Sequence, residues 1–309
     1  MSALRTPLLV LIAVACALSG CGGGEAPGPA RTTRPAQSAR PPQRIVTLAP
    51  NLTEIAFALG LGPRVVGVSE YVTWPPEALE RPSLGGLFDP NLETIVALRP
   101  DLAILLPSQA EVAEKLRRAE VATLTVGIES VEDVADGIRA VAARCGVEAA
   151  GRELAGELRE ALAPRPVPGA PRVMLSVDRA PGRTENLLAA GPGTYLHELL
   201  VRLGAENVFA DSPVRYPQVG MEEVLDRAPE VIVEIRPEPA TPGEAERLLD
   251  DWRRYPGLPA VERGALVLIG ESYALVPGPR LPLLYDRLED AVRRAARRPG
   301  QPEQGDERP

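Results

Sequence analysis

The sequence predicts an α/β protein of two small lobes, each a parallel sheet wrapped by helices, joined by one long backbone helix with a cleft between the lobes. Two observations favour this architecture. Short aliphatic runs alternate with segments of helical period, and a unit of helix, proline and strand occurs twice. A third is the stretch from Val131 to Leu162, where apolar residues keep helical spacing with no strand signal.

Seven short runs rich in β-branched or aliphatic residues are predicted strands, at 44–48, 65–69, 102–106, 123–126, 173–177, 231–235 and 266–269. Helical periodicity predicts helices at 53–59, 92–98, 112–119, 195–203, 222–227 and 281–294. Asn51 is the expected N-cap of the first helix, with Glu54 three residues on as in a capping box, and Gly60 and Gly62 after its end.

The middle of the chain is predicted to join the lobes. A break is expected between Gly146 and Gly151, and a helix over 147–162 would span ~24 Å at 1.5 Å per residue, enough to pass from one small lobe to another. Prolines from Pro164 to Pro171 stop that helix. We therefore expect a first lobe over 44–145, a backbone helix and connector over 146–170, and a second lobe over 171–298.

The N-terminus carries the signals of export. Arg5 precedes an apolar run from Leu8 to Leu18, which is too short for a membrane span and typical of a signal peptide over 1–20. Leu18-Ser19-Gly20-Cys21 matches the bacterial lipobox, which implies that Cys21 is lipidated and anchors the mature protein to a membrane. Residues 21–43 and 299–309 are polar, Pro- and Gly-rich, and predict a disordered tether and tail. The sequence leaves open whether the anchor faces a periplasm or an outer cell surface.

Composition excludes several functions. The net charge of −8 and the lack of a basic cluster interleaved with aromatics argue against nucleic acid. Of three cysteines, Cys16 leaves with the signal and Cys21 carries lipid, so Cys145 remains as a small buried residue and no disulfide framework is possible.

Catalytic and metal chemistry have no clear motif. The single histidine, His197, is expected to be solvated or helix-capping, and it cannot supply the several ligands of a zinc or manganese receptor. Neither a Gly-x-Ser-x-Gly elbow nor a Gly-x-x-x-x-Gly-Lys loop occurs. We predict no enzyme activity, no catalytic residue and no metal site, although counting acids does not exclude a carboxylate pair for glycoside cleavage.

The duplicated unit singles out two acids. Glu93 and Glu222 each stand seven residues before a proline, at a constant offset of 129. Two related lobes would place these acids at related surface positions on opposite sides of the cleft. They either complement a helix dipole, a contribution of ~0.3–1 kcal/mol each, or form a docking pair.

Aromatic residues are few, 11 of 309, and several fall in or beside predicted loops, where clefts are built. These are Tyr71, Trp74, Phe88, Tyr216 and Tyr273. Trp74, which precedes Pro75-Pro76, is expected to be a rigid turn residue. The others favour an apolar and aromatic wall for a flat ligand, with ordinary half-buried packing as the alternative.

Motifs in both halves carry a family resemblance: RIVTLAPNLTE at 44–54, Tyr71 with Trp74-Pro75-Pro76, NLE at 91–93, LRPDL at 98–102, YPQV at 216–219 and VPGPR at 276–280. From about residue 44 to 294 the chain resembles the helical-backbone, class III, substrate-binding proteins of ABC importers, and most nearly their cobalamin-binding members. The resemblance implies a monomer that takes up a small molecule, has no cofactor of its own, and delivers cobalamin or a related corrinoid to a permease dimer with its ATPase.

The resemblance also implies roles for residues. Glu93 and Glu222 correspond to glutamates that dock on arginine pockets of the permease. Ligand contacts fall on one aromatic in each lobe, on a pair of residues in the first lobe and on a late loop: Tyr71, Tyr216, Leu87, Phe88, Ser272, Tyr273, Ala274, Leu275 and Val276. The chain departs from the cobalamin pattern where Leu87 beside Phe88 replaces a tryptophan and Leu106 replaces an aromatic.

Two other hypotheses stay open. A ferric siderophore or haem receptor on the same fold would use cleft arginines, for which Arg179, Arg183, Arg215 and Arg280 are candidates. A lipoprotein enzyme or structural surface protein is the third.

Overall fold

The computed structural model describes residues 40–297, and its first sheet is built entirely of parallel strands. The strands are β1 (Ile45–Thr47), β2 (Val65–Val68), β3 (Leu102–Leu105) and β4 (Thr123–Thr125), in the order β2-β1-β3-β4. In the register of these strands, Ile45 of β1 pairs with Leu102 of β3, and Ala103 of β3 pairs with Thr123 of β4.

The second sheet repeats this plan. It contains β5 (Arg172–Val177), β7 (Glu206–Asn207), β9 (Val231–Ile235) and β10 (Leu266–Ile269), all parallel, in the order β10-β9-β5-β7. Read from the opposite edge, that order equals the order of the first sheet, since the first strand of each lobe lies between its second and third. A short antiparallel pair, β6 (Leu187–Leu188) with β8 (Gln218–Val219), is added to the second lobe. The predicted two-lobed α/β fold is confirmed.

Helices occupy the connections. They are α1 (Pro50–Ala58), α2 (Leu92–Ala97), α3 (Ala110–Arg118), α4 (Val131–Cys145), α5 (Glu148–Ala161), α6 (Tyr195–Arg202), α7 (Met221–Arg227), α8 (Pro242–Arg253), α9 (Pro259–Glu262) and α10 (Leu281–Ala296). The seven predicted strands and the six predicted helices all form, with ends shifted by a few residues at most. The sequence pattern missed β6, β7, β8, α8 and α9.

The predicted start of α1 is wrong. The helix begins at Pro50, its N-cap is Ala49, and Asn51 lies inside the first turn. Proline is suited to this position because the first helical N–H has no intrahelical partner. Glu54 therefore does not close a capping box, and its carboxylate bonds to the other lobe instead.

The two helices between the sheets fold back on one another. Helix α4 ends at Gly146 in the left-handed region, φ 74°, and Val147 separates it from α5. Arg159, near the end of α5, pairs with Glu132 in the first turn of α4, so the two helices are antiparallel. The expected break and the helix over 147–162 are thus found, as α5. The lobe boundaries at residues 145 and 171 remain a proposal.

One apolar core runs through both lobes. A single cluster of buried side chains includes Ile45 and Ile104 of the first sheet, Ala155 of α5, and Val173 and Val233 of the second sheet. Cys145 belongs to this cluster and is a free, buried thiol, as predicted. The described residues from Pro41 to Arg297 accordingly lie in one compact unit.

The internal repeat extends to hydrogen-bonding detail. Arg99 and Ala228, 129 positions apart, both follow a short helix and both have positive φ, 45° and 44°. The arginine that leads into the first strand of each lobe donates to the end of that helix: Arg44 to the Leu98 carbonyl at 2.6 Å, and Arg172 to the Ala228 carbonyl at 3.4 Å. In each lobe the acid that follows the proline of the repeat accepts a hydrogen bond from the backbone N–H of that arginine. Asp101 accepts from Arg44, and Glu230 accepts from Arg172. The two lobes therefore share one local design.

Within residues 40–297 no helix has the length and apolar character needed to cross a bilayer. The predicted signal peptide, the lipidation site Cys21 and the predicted tail lie outside the described residues.

Candidate ligand-binding cleft

The predicted ligand residues lie on loops around the carboxyl ends of the strands. Tyr71 follows β2, and residues 272–276 follow β10. In open parallel sheets this edge is where ligands bind, since the loops there converge without a covering layer. The two lobes meet at these edges: the N–H of Tyr195, the first residue of α6, donates to the carbonyl of Glu129, in the loop after β4, at 2.7 Å.

In the first lobe, Tyr71 lies beside the loop that carries Leu87 and Phe88. A Cβ placed on Gly86 would be 3.8 Å from the Tyr71 ring. Tyr71 is 64% exposed and Phe88 is 80% exposed, so both rings present apolar surface to solvent. Single exposed apolar residues are ordinary, so the two rings are candidate ligand contacts because they are neighbours on adjacent loops.

A buried amide fixes that loop. Gln109 donates from Nε2 to the Leu48 carbonyl at 3.0 Å and to the Leu87 carbonyl at 2.8 Å. Its Oε1 accepts from Leu106 N–H at 2.9 Å. The loop of Leu87 is therefore fastened to the ends of β1 and β3, and its position follows from the sheet. Sequence reasoning missed Gln109.

In the second lobe, Tyr216 is half-buried near Tyr195. Burial, helped by the negative charge of Glu129, raises the pKa of Tyr216 to about 12. Its phenol therefore remains a neutral hydrogen-bonding group across the physiological range. The Tyr195 hydroxyl is buried and donates to the Ala274 carbonyl at 3.4 Å, which ties the loop 272–276 to α6.

The loop 272–276 is only partly open. Ser272, Tyr273, Leu275 and Val276 are half-buried, whereas Ala274 has no exposed surface and offers none to a ligand in this conformation. Arg280 joins this loop to the first lobe, because its guanidinium carbon lies 5.7 Å from the centre of the Tyr273 ring and 5.4 Å from that of Trp74. The structure thus brings Trp74 of the first lobe and Tyr273 of the second lobe to the same guanidinium group.

Glu93 and Glu222 occupy matching positions, in the first turns of α2 and α7, and both are exposed. Among residues 40–297, neither carboxylate takes part in an ion pair, although Glu223 next to Glu222 pairs with Arg227. Because α2 precedes β3 and α7 precedes β9 in sheets of equal strand order, the two acids are equivalent points of the duplicated lobes.

Two of the four candidate arginines are not available to a ligand. Arg179 is buried between Glu234 and Asp251, and Arg280 is paired with Glu54. Arg183 and Arg215 are exposed, and Arg215 lies 3.7 Å from Glu129. All three ion pairs of Arg179 and Arg280 join residues far apart in sequence, so no local sequence pattern indicated them.

His197 differs from expectation. It is neither solvated nor a helix cap: the side chain is half-buried, Nδ1 lies 3.2 Å from Asn207 Nδ2, and the cap of α6 is Thr194. Burial lowers the pKa of His197, which favours the neutral ring.

A cavity of about 890 Å³ opens away from this cleft, between β10 and the C-terminal half of α10. None of the predicted ligand residues lines it. The candidate site is instead the open groove between the loops.

Two duplicated parallel-sheet lobes that face each other at the carboxyl ends of their strands have the architecture of a two-lobed solute-binding protein. The chain belongs to the periplasmic binding protein family, whose sequence profile it matches over residues 45–273. Among curated relatives, the vitamin B12-binding protein of Vibrio cholerae serotype O1 is 34% identical over 202 residues, which are 62% of this chain and 70% of that protein.

Solved structures agree. The periplasmic vitamin B12-binding protein BtuF of Vibrio cholerae superposes with a TM-score of 0.69 at 27% identity, over 84% of this chain and 100% of that one. The periplasmic heme-binding protein RhuT from Roseiflexus sp. RS-1 gives 0.68 at 26%, over 82% and 99%. These proteins bind transported substrates and are not enzymes, and their periplasmic location implies that this chain is exported.

Proposed function

We propose that this chain is the lipid-anchored solute receptor of an ABC importer, and that it captures cobalamin or a related corrinoid between its lobes. The observation that carries the ligand assignment is the similarity to vitamin B12-binding proteins, at 34% identity in sequence and 27% in the superposed structure. The exposed rings of Tyr71 and Phe88 in the first lobe, and the half-buried neutral Tyr216 in the second, suit the edge of a large, mostly apolar macrocycle with amide groups.

Haem is the second candidate, since the heme-binding RhuT superposes almost as well. Haem carries carboxylates, for which the exposed Arg183 and Arg215 are the available partners. Direct titration separates the two ligands. We expect cyanocobalamin to release heat on binding with a one-to-one stoichiometry, and hemin to bind more weakly; tight hemin binding without a cyanocobalamin signal would reverse the assignment.

The residue roles are tested by substitution. Tyr216→Ala and Phe88→Ala should each weaken cyanocobalamin binding, because each removes a ring from the wall of the groove. Val201, an exposed apolar residue on α6, provides Val201→Ala as a control with unchanged affinity. If both aromatic variants bind as the parent does, the ligand lies elsewhere.

Docking on the permease is assigned to Glu93 and Glu222, because equivalent exposed acids on duplicated lobes match a permease made of two like subunits. Exposed ion pairs contribute only ~0.2–1 kcal/mol each, so these acids orient the receptor more than they hold it. Glu93→Gln with Glu222→Gln should abolish cobalamin uptake by cells and leave cyanocobalamin affinity intact. Glu111→Gln, an exposed acid in the first turn of α3, should leave uptake unchanged. Normal uptake by the double variant would refute the docking role.

The anchor is assigned to Cys21 on the lipobox sequence. Labelled fatty acid should enter the mature protein in cells, and Cys21→Ser should release the protein from the membrane fraction. A membrane-bound, unlabelled Cys21→Ser protein would point to an uncleaved N-terminal segment.

A further inference from the structure

A second internal repeat, with an offset of 144, relates α1 to α6, the first long helix of each lobe. Both helices end in a leucine followed by a glycine of positive φ, 73° at Gly60 and 71° at Gly204. The next residue in each lobe closes the same backbone bond, Leu61 N–H to the Ala56 carbonyl at 2.9 Å and Ala205 N–H to the Leu200 carbonyl at 3.0 Å. This repeat places Glu54 and Glu198 at equivalent positions.

Glu54 reaches from α1 into the second lobe. Its carboxylate accepts two hydrogen bonds from Arg280, the N-cap residue of α10, at 3.0 Å from Nε and 2.5 Å from Nη2. The Glu54 side chain is 3% exposed and that of Arg280 is 14% exposed, so the pair is shielded from water. Paired hydrogen bonds of this kind fix orientation as well as distance.

Glu198 makes the reciprocal contact. From α6 in the second lobe, its carboxylate accepts from the N–H of Val131, the first residue of α4, at 3.0 Å. Helix α4 follows the last strand of the first lobe, as α10 follows the last strand of the second. In each case an acid on the first helix of one lobe holds the start of the last helix of the other. Such reciprocity is the mark of an isologous, approximately two-fold arrangement.

The positive charge at the starts of α4 and α10 explains why Glu54 and Glu198 lie at the interface between the lobes. The starts of α4 and α10 each meet the other lobe, and the backbone N–H groups of a helix start carry positive partial charge. Arg280 adds a full positive charge at the start of α10. Without the two carboxylates, this interface would hold unpaired donors away from water. Local capping does not account for them, because each carboxylate and the helix start it binds belong to different lobes.

Arg280 links the interface to the groove. Its Nε and Nη2 bond to Glu54, and its Nη1 donates to Ser272 Oγ at 3.0 Å. The guanidinium group also lies beside the rings of Trp74 and Tyr273. A shift of α1 relative to α10 would therefore move the loop 272–276.

We propose that Glu54 and Glu198 are paired inter-lobe clamps that fix the angle between the lobes, and that Glu54, through Arg280, positions the loop 272–276 at the groove. The clamps act in the unliganded protein. The positioning of the loop 272–276 for a ligand rests on the proposed function, whereas the fixed angle between the lobes does not.

The lobe angle is measured without ligand, by residual dipolar couplings of backbone amides in the two sheets. In the full-length parent protein, both sheets should fit one alignment tensor. Glu54→Gln with Glu198→Gln preserves side-chain shape and removes both charges, and we expect the two sheets to require different tensors. Glu244→Gln, which alters a carboxylate that caps its own helix α8, should keep the single tensor.

A common tensor in the folded double variant would overturn the proposal, as would separate tensors in the parent. If the double variant does not fold, the same test is applied to Glu54→Gln and to Glu198→Gln separately, and a common tensor for both sheets in the two single variants would overturn the proposal.

Cyanocobalamin binding tests the link to the groove. Glu54→Gln should weaken affinity by about tenfold or more, equivalent to ~1.4 kcal/mol, while Glu244→Gln should not. Parent-like affinity in Glu54→Gln would remove the positioning role. If the parent itself does not bind cyanocobalamin, the proposed ligand is wrong, and the dipolar couplings still decide whether the clamps exist.

Discussion

Arg179 lies at the centre of a buried charge network that fastens the loop after β5 to α8. Its Nε donates to Glu234 at 2.6 Å and its Nη1 donates to Asp251 at 2.7 Å, with all three side chains at most 3% exposed. Trp252 Nε1 also donates to Glu234, at 2.6 Å. A charge buried in this way is costly unless every partner is present, so the network holds the loop in one conformation.

Asp251→Asn should therefore lower the free energy of unfolding by ~3–5 kcal/mol at neutral pH, because it leaves Arg179 buried and undercompensated. Asp250→Asn, in the adjacent exposed pair with Arg253, should cost at most ~1 kcal/mol. Denaturant unfolding of the three proteins measures both effects. Equal losses would mean that the network contributes no more than a surface pair.

The same residue predicts a pH dependence. Burial raises the pKa of Asp251, but hydrogen bonds from Arg179 and from Gly182 N–H outweigh it and hold the pKa below its ordinary value of 3.8. The folded state then binds fewer protons than the unfolded state, so this stabilisation is complete above pH 3.8 and is lost as the pH falls below it. The stability difference between the parent and Asp251→Asn should shrink over that acid range, and a constant difference would contradict the shift.

At the scale of elements, the contact of α4 with α5 depends on a glycine. A Cβ at Gly151 would lie 2.2 Å from the Cβ of Ala142, whereas one at Gly156 on the same helix would meet nothing within 4 Å. The absence of a side chain at Gly151 lets the two helices approach closely. Gly151 is thus a contact residue inside α5.

Gly151→Ala should destabilise the protein by ~1–3 kcal/mol through overpacking. Gly156→Ala should stabilise it by up to ~1 kcal/mol, since alanine is the better helix former and has room. Thermal unfolding of both variants shows directly whether each substitution raises or lowers the midpoint temperature. A stabilised Gly151→Ala variant would show that α4 and α5 can move apart to accept the added methyl group with no loss of stability.

Elements were predictable where burial imposed a pattern. The seven strands were found because each is a short aliphatic or β-branched run, and in five of them, such as β3, most residues are buried. Strands β6, β7 and β8 have two residues each, too few to show a period. Helix α8 did carry a sequence signal, the capping box of Thr241 and Glu244 around Pro242, but it lies among charged residues with little apolar periodicity.

For the whole molecule, the shared core makes the two lobes one folding unit. The apolar cluster passes from the first sheet through α5 to the second without interruption. We expect a single calorimetric transition for the described domain, with equal calorimetric and van't Hoff enthalpies. Ile138→Ala on α4 and Leu284→Ala on α10, both fully buried, should each lower that one transition, at a cost of ~2–5 kcal/mol. Two resolved transitions, each sensitive to one variant, would show independent lobes.

Contacts between lobes were the part of the site that sequence reasoning could not supply. Loop residues such as Tyr71 and Tyr216 were identifiable as candidates because they lie in or beside predicted loops and match motifs of the family. Glu54 was interpreted as a local cap, since its partner Arg280 is 226 residues away. The repeat of Glu54 with Glu198 was the one available sign of that contact.

The duplicated plan has a consequence for any partner with two-fold symmetry. A body with two like halves can be seated in either of two orientations, half a turn apart, and only the places where the halves differ can favour one. Leu87 and Tyr216 are such a place, because they stand 129 positions apart, the spacing that also separates Glu93 from Glu222. The aliphatic side chain on one flank and the phenol on the other therefore add to the backbone difference that the β6–β8 pair makes, and a guest held there would be oriented by both.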